Sequence, residues 1–349
     1  MIDRRSFLAG SAAAGALALA ARRARAAEPG VSDTTLPRLL DTRRVIIDTD
    51  PGNDDAIAIL MALSAPSLSV EAITVAPGNI GYAQEVRNAL YMVDLAGFSG
   101  RIPVHAGMTR PILGRSYASA SFIHGPSGLG QFVVPPVKQQ PDPEHAVTAI
   151  CRIVRRYPNQ VVILALGGLT NVAMALLMDP GIARLVKGIQ FVANANNAVP
   201  SFNAMVDPEA ADIVFRSGAP ITFGLGGPDS SILTPADFKT VRAMDTARSR
   251  FFMQSNALRL SFEMSARNAK GSVNGDPLAT AMIIDPAIAT GFKAVCARVE
   301  LEGEYTRGTI LYGENRYNMQ PTPPPNANLC VAADNARFKA LVFRTLAQA

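Results

Sequence analysis

The chain has 349 residues, 48% hydrophobic and 17% charged, enough apolar material for a sizeable buried core and too little charge for a disordered segment. Five arginines and one aspartate in the first 26 residues supply +4 of the formal net charge of +5, leaving 28 basic and 27 acidic residues beyond them. That near-neutral remainder, with no basic stripe interleaved with aromatics, lacks the electrostatic footprint of a nucleic-acid binder.

In chain order, Arg4-Arg5-Ser6-Phe7-Leu8 is a twin-arginine signature. The small and apolar run Ala9 to Ala21 and an A-x-A cleavage site at Ala24-Arg25-Ala26 follow it. The apolar run is too short and too rich in Ala and Gly for a membrane span. These features predict a signal peptide over residues 1–26, no stable membrane anchor, and a periplasmic or secreted protein that folds before export. A polar lead-in occupies 27–42, and 43–349 reads as one domain. Cys151, Cys296 and Cys330 are widely spaced, without a C-x-x-C pair, and read as buried thiols.

From Arg43 onward, short β-rich runs alternate with helical spacing. Strands are predicted at Val45–Ile47, Val70–Val75, Val161–Leu166, Ile189–Val192 and Ile221–Phe223, and helices at Asp54–Ala65, Ala83–Ala96, Glu144–Tyr157, Asn171–Met178 and Pro208–Ser217. The alternation predicts an α/β fold, an open and mainly parallel central sheet with helices on both faces. Thr109 to Asp142 is a long Gly/Pro-rich stretch carrying His124, the kind of loop that binds or covers a site. Thr240 to Lys270 reads as two helices covering one side of the site. Late strands at Ala294–Leu301, Thr306–Tyr312 and Leu329–Ala333 and a C-terminal helix complete the pattern, with Pro321–Pro325 breaking it.

The chemistry concentrates in Asp48-Thr-Asp-Pro-Gly-Asn-Asp-Asp55, four carboxylates in eight residues between a buried strand and a buried helix. Strand ends of open α/β sheets are where ligands bind. Capping of the helix accounts for one or two of these acids. Four so close raise one another's pKa, and a bound hard cation such as calcium or magnesium relieves them.

This octapeptide resembles the N-terminal signature of the inosine-uridine-preferring nucleoside hydrolases. The resemblance continues through Thr74-Val75-Ala76-Pro77-Gly78-Asn79, Ala165-Leu166-Gly167-Gly168-Leu169-Thr170-Asn171, Phe202-Asn203 with Asp207-Pro208-Glu209-Ala210, and Gly275-Asp276-Pro277-Leu278-Ala279, in the family's order. It implies an N-ribohydrolase of nucleoside-like small molecules, forming dimers or tetramers. One Ca2+ would be held by Asp50, Asp55, Asp276 and the backbone carbonyl of Thr170, with Asp50 as general base. Asp54, Asn79, Asn203 and Asp276 would grip the ribose, and His124 would act in the site. Asp48 reads as a supporting acceptor behind it.

Two departures concern the nucleobase and the outer ribose hydroxyl. Gly275 stands where better-known members carry a histidine that helps the leaving group, and Ser201 stands where they carry a glutamate. Asn194, Asn196 and Asn197 compete for one further ribose contact, and the leaving-group acid is left open among His124, Tyr82 and the loops. Two other readings follow from the same residues. One is an exported binding protein that keeps the metal without turnover. The other is a haloacid-dehalogenase-type phosphatase built on Asp48-x-Asp50, which Gly52 fits poorly.

Overall fold

The computed structural model describes residues 44–227, 229–313 and 323–348. The proposed signal peptide (1–26), the lead-in (27–42) and part of Pro321–Pro325 lie outside them. Strands β1 (Arg44–Thr49), β2 (Ser69–Val75), β3 (Val104–Ala106), β4 (Val161–Ala165), β5 (Gly188–Phe191) and β6 (Ile221–Phe223) alternate with helices α1 (Asn53–Ser64), α2 (Tyr82–Leu95), α3 (Ser121–His124), α4 (Ala146–Arg156), α5 (Thr170–Met178), α6 (Phe202–Val206) and α7 (Pro208–Arg216). The second half adds β7 (Ile232–Leu233), α8 (Pro235–Met244), α9 (Ala247–Ala266), β8 (Ser272–Val273), α10 (Gly275–Ile284), β9 (Ala289–Val295), β10 (Ala297–Val299), β11 (Ile310–Tyr312), β12 (Ala327–Ala333) and α11 (Asn335–Leu346).

Eight strands form one sheet in the order β3-β2-β1-β4-β5-β6-β12-β9, parallel except for β9, which runs antiparallel to β12. Small two-stranded pairs, β10–β11 and β7–β8, stand apart from it. This is the predicted α/β architecture, and its cause is visible in the strands. In β1 every residue from Val45 to Thr49 is buried, because helices cover both faces. Val45 and Ile47 join the core under α1, α2, α10 and α11, while Ile46 between them joins the core under α4, α5 and α7. Helix α1, apolar on nearly every face, is buried along Asn53–Leu63 because α2, α10 and α11 pack around it.

The strand order reverses direction between β1 and β4, which leaves a crevice beyond their carboxyl ends. That crevice is where the sequence motifs converge. The segment predicted as a long loop, Thr109–Asp142, contains the single turn of α3, and Gly130 N–H donating to His124 O (2.7 Å) ties the chain after it. The two helices expected within Thr240–Lys270 are α8 and α9, α8 starting five residues earlier behind a Thr234–Asp237 capping box. Helix α10 begins at the Gly275-Asp276-Pro277 motif. Cys151, Cys296 and Cys330 are all free thiols, and Cys151 and Cys330 are buried. No helix among the described residues is long and apolar enough to cross a membrane.

Candidate active site

Backbone economy at the end of β1 shapes the floor of the site. Asp48 lies inside the strand, its Oδ1 accepting from Thr74 Oγ1 (2.6 Å) and Asn171 Nδ2 (2.9 Å), and burial pushes its carboxyl up to about 7. It is the supporting acceptor expected from its position. Asn171 also donates to Val75 O (2.9 Å) and accepts from Met108 N–H (2.8 Å), so one amide clips three strand-end loops together.

Asp50, two residues on, is different. It is buried, and neither carboxylate oxygen has a hydrogen-bond partner among the described residues. Gly78 and Gly167 clear the space around it. A Cβ on Gly78 would fall 1.7 Å from Asp50 Oδ2, and one on Gly167 would fall 2.5 Å from Oδ1. Burial raises the Asp50 pKa well above the ordinary carboxylate range, and the neighbouring charges of Asp55, Glu85 and Asp54 add to it.

Asp55 sits at the third position of α1 and accepts from Gly52 N–H (3.0 Å), half of a capping box. It also accepts from Thr49 Oγ1 (2.6 Å) and Asn79 Nδ2 (3.2 Å). Capping and clustering therefore coexist in one side chain. Asp276 arrives from the first turn of α10, buried, its pKa raised well above the ordinary range by burial and by Asp54, Asp55 and Asp50. Carboxylate oxygens of Asp54, Asp55 and Asp276 lie within 4.8 Å of one another, a grouping able to hold a metal ion. The test of fit is chemical: buried acids raise one another's pKa, and Asp50 offers two unpartnered oxygens beside them. Such an all-oxygen donor set suits a hard divalent cation.

The remaining predicted residues fall around this floor. Asn79 lines the pocket, and its amide donates to Asp50 O (2.8 Å) as well as to Asp55. Asn203, in α6, also lines it; its amide donates to Leu166 O and to Val192 O (3.0 Å), joining the ends of β4 and β5. For both asparagines the side-chain oxygen is without a partner among the described residues. Thr170 is the buried first residue of α5, its hydroxyl donating to Asp207 Oδ2 (2.7 Å). His124, also in the pocket wall, is buried, and its Nδ1 accepts from Asn53 N–H (3.2 Å). Burial lowers its pKa to about 4, so near neutral pH the imidazole is uncharged and its proton sits on Nε2.

Among the competing asparagines, Asn194 lines the pocket and its N–H donates to Ser201 Oγ (3.0 Å). Asn196 is spent on Tyr312, giving its amide to the carbonyl (3.0 Å) and accepting the N–H (2.9 Å), while Asn197 lines a neighbouring hollow. Tyr82 is tied to Gly107, donating to its carbonyl (3.1 Å), and burial pushes the phenol up to about 12. It is not among the residues that line the pocket.

Sequence reasoning missed four residues here. Glu85, in the first turn of α2, is buried, accepts from Ile80 N–H (2.9 Å), and is pushed up to about 8 chiefly by burial. In the sequence it looks like an ordinary first-turn helix acid. Arg259, Glu263 and Arg267 come from α9 and its end and line the other side of the pocket. Arg259 forms a buried ion pair with Asp54 Oδ2 (2.9 Å) and donates to Asn53 Oδ1 (3.1 Å) and Val273 O (2.9 Å). Their spacing of four was visible, but surface ion pairs on helices share it. The cavity measures about 210 Å³, far beyond the roughly 30 Å³ share of one water, so it has room for an organic ligand beside an ion.

Known proteins resemble this chain in both sequence and fold. Residues 45–340 match the family described as inosine-uridine preferring nucleoside hydrolase. The chain is 36% identical over 313 residues to the inosine-uridine preferring nucleoside hydrolase of Leishmania major, covering 87% of this chain and 97% of that one. It is 35% identical over 274 residues to the enzyme of the same name from Crithidia fasciculata, covering 76% and 86%. Among solved structures, a plant nucleoside hydrolase superposes with a TM-score of 0.80 at 30% identity, over 88% of this chain and all of that one. A purine-preferring ribonucleoside hydrolase from Gardnerella vaginalis gives 0.77 at 31%, over 87% and 98%. With the family match spanning most of the chain and relatives more than 30% identical over most of their own length, the chain belongs to the inosine-uridine preferring nucleoside hydrolase family.

Proposed function

We propose that this protein hydrolyses the N-glycosidic bond of ribonucleosides or closely related N-ribosyl compounds, with Asp50 as general base. The observation that supports it most is the Asp50 carboxylate, buried and unpartnered on both oxygens, close enough to Asp276, which lines the pocket with Asp54, to raise its pKa. The donor set fits a resident dication, which we assign as calcium, held by Asp50, Asp55, Asp276 and the Thr170 carbonyl, with Asp54 adjoining. When bound, the ion would supply the positive charge that gathers sugar hydroxyls and acidifies a water.

Asp50 then accepts the proton of the attacking water. Asp54, Asn79, Asn203 and Asp276 hold the ribose hydroxyls, for which short amides and carboxylates at strand ends are suited. The surrounding carboxylates stabilise the oxocarbenium-like charge that builds at the anomeric carbon as the bond to the base breaks. His124, neutral with its proton on Nε2, acts as a hydrogen-bond donor from the pocket wall rather than as an imidazolium acid. The Arg4-Arg5 signature supports export by the twin-arginine route, and the family resemblance supports a dimer or tetramer, which light scattering checks.

Family membership sets aside the phosphatase alternative. The test is release of reducing sugar by the mature protein from purine and pyrimidine nucleosides, with and without a calcium chelator. Release that the chelator stops, and that calcium restores, is the expected result. Binding of nucleosides with no release from any of them would replace hydrolysis by a binding role.

A further inference from the structure

Helix α9 presents charged residues to the pocket at successive turns. Arg259 is committed to the floor through Asp54, Asn53 and the Val273 carbonyl. Four residues along a helix is a rise of about 6 Å, enough to pass from the sugar-gripping floor to the part of the pocket left for the base. There stands Glu263, its side chain 1% exposed, while Arg267, a further turn on, is 56% exposed at the mouth. Glu263 Oε1 accepts from Arg267 (3.2 Å), and its second oxygen has no hydrogen-bond partner among the described residues. A carboxylate so withdrawn from water is costly unless a donor meets it. Burial pushes the Glu263 carboxyl up, and Arg259 and Arg267 oppose that push.

The wall beyond is apolar. Where a histidine is expected by resemblance stands Gly275, and a Cβ there would meet Leu225 Cδ1 at 3.0 Å and Val192 Cγ1 at 3.4 Å. The base end of the pocket thus combines aliphatic contact for a flat ring with one acceptor and one donor of fixed character.

We propose that Glu263 determines which leaving group the enzyme takes, its free oxygen accepting an N–H on the edge of the base remote from the sugar while Arg267 donates to the neighbouring acceptor. Inosine and uridine, for which the family is named, both carry such an N–H in the lactam of the base, and the assignment gives that preference a residue in this chain. This rests on the hydrolase reading above.

The test compares kcat/KM for inosine against 1-methylinosine and for uridine against 3-methyluridine, in which a methyl group replaces the donor hydrogen. The wild type should favour the unmethylated member of each pair. Glu263→Ala should shrink that preference by about tenfold to a hundredfold, the worth of a hydrogen bond to a charged group, and Glu263→Gln, which keeps an amide oxygen, should restore part of it. Inhibition of the wild type by hypoxanthine against 1-methylhypoxanthine reads the same preference without a variant. Cleavage of nucleosides with no preference in the wild type, or with one that Glu263→Ala leaves unchanged, overturns the inference alone. Failure of the wild type to cleave any nucleoside overturns the hydrolase reading and the inference with it.

Discussion

The floor and the wall of the pocket are built on opposite electrostatic principles. On the floor, Asp50, Asp55 and Asp276 crowd together with no ion pair among the described residues, and each carboxyl is pushed up by burial and by its acidic neighbours, with Arg259 easing only Asp276. On the wall, Arg259 and Arg267 stand beside Asp54 and Glu263 at 2.9 and 3.2 Å. The floor is thus suited to external positive charge, such as the proposed metal ion and cationic transition state would bring. The wall is already compensated and is suited to reading a neutral base. Asp54 joins the two, belonging to the acidic cluster by position and to the wall by its ion pair.

Substitutions on the floor should separate chemistry from binding. Asp50→Asn should lower kcat by roughly 10²–10⁴-fold, the usual contribution of a general base, with little change in nucleoside Kd. Gly78→Ala should lose activity in the same way, because its methyl occupies the space of the Asp50 carboxylate; near-full activity in either variant would remove Asp50 from its assigned role.

Breaking the link between floor and wall should act on stability instead. Arg259→Ala leaves Asp54 buried without its partner and should cost about 3–5 kcal/mol in denaturant unfolding. A loss confined to activity, with the unfolding midpoint unmoved, would show that the pair carries no structural weight.

Metal-free protein should report the strain of the floor through pH. Glu85 has a folded pKa of about 8 against an ordinary 4.5, so the native state binds more protons between those values. Its stability contribution is complete below about 4.5 and is lost as pH rises towards 8. Glu85→Gln should therefore flatten the fall in Tm over that window and gain most at its alkaline end. Parallel pH curves for variant and wild type would mean that Glu85 does not titrate there. The smallest effect is expected on the wall: Gly275→Ala meets only the ends of Leu225 and Val192, which can give way, and should cost about 1 kcal/mol or less. A collapse of stability would show that wall to be rigid.

Much of the floor was legible in the chain itself. A Val-Ile-Ile strand followed within one turn by Asp50-Pro-Gly-Asn-Asp-Asp55 places its acids by local geometry alone, since a strand's end and a helix's start have one way to meet in an α/β unit. The parallel sheet followed from the same alternation, and the strands β1, β2, β4, β5 and β6 lie within a residue or two of their predicted positions. Short edge pieces such as β3, β7 and β8 were not legible, because two or three residues carry no period.

Composition and spacing by themselves determined the α/β class, the acidic strand-end cluster and its demand for positive charge, because these depend on neighbours in sequence. Only the tertiary structure decided that Arg259 closes on Asp54, that Asn194 rather than Asn196 reaches the pocket, that Tyr82 is turned to Gly107, and that Glu263 is buried in the pocket wall. Arg259 and Asp54 are 205 positions apart, and only the packing of α9 across the crevice brings them together. A charged residue on a helix shows the same letter whether its face meets solvent or a cavity, and burial, which separates the two, is a property of the packed chain.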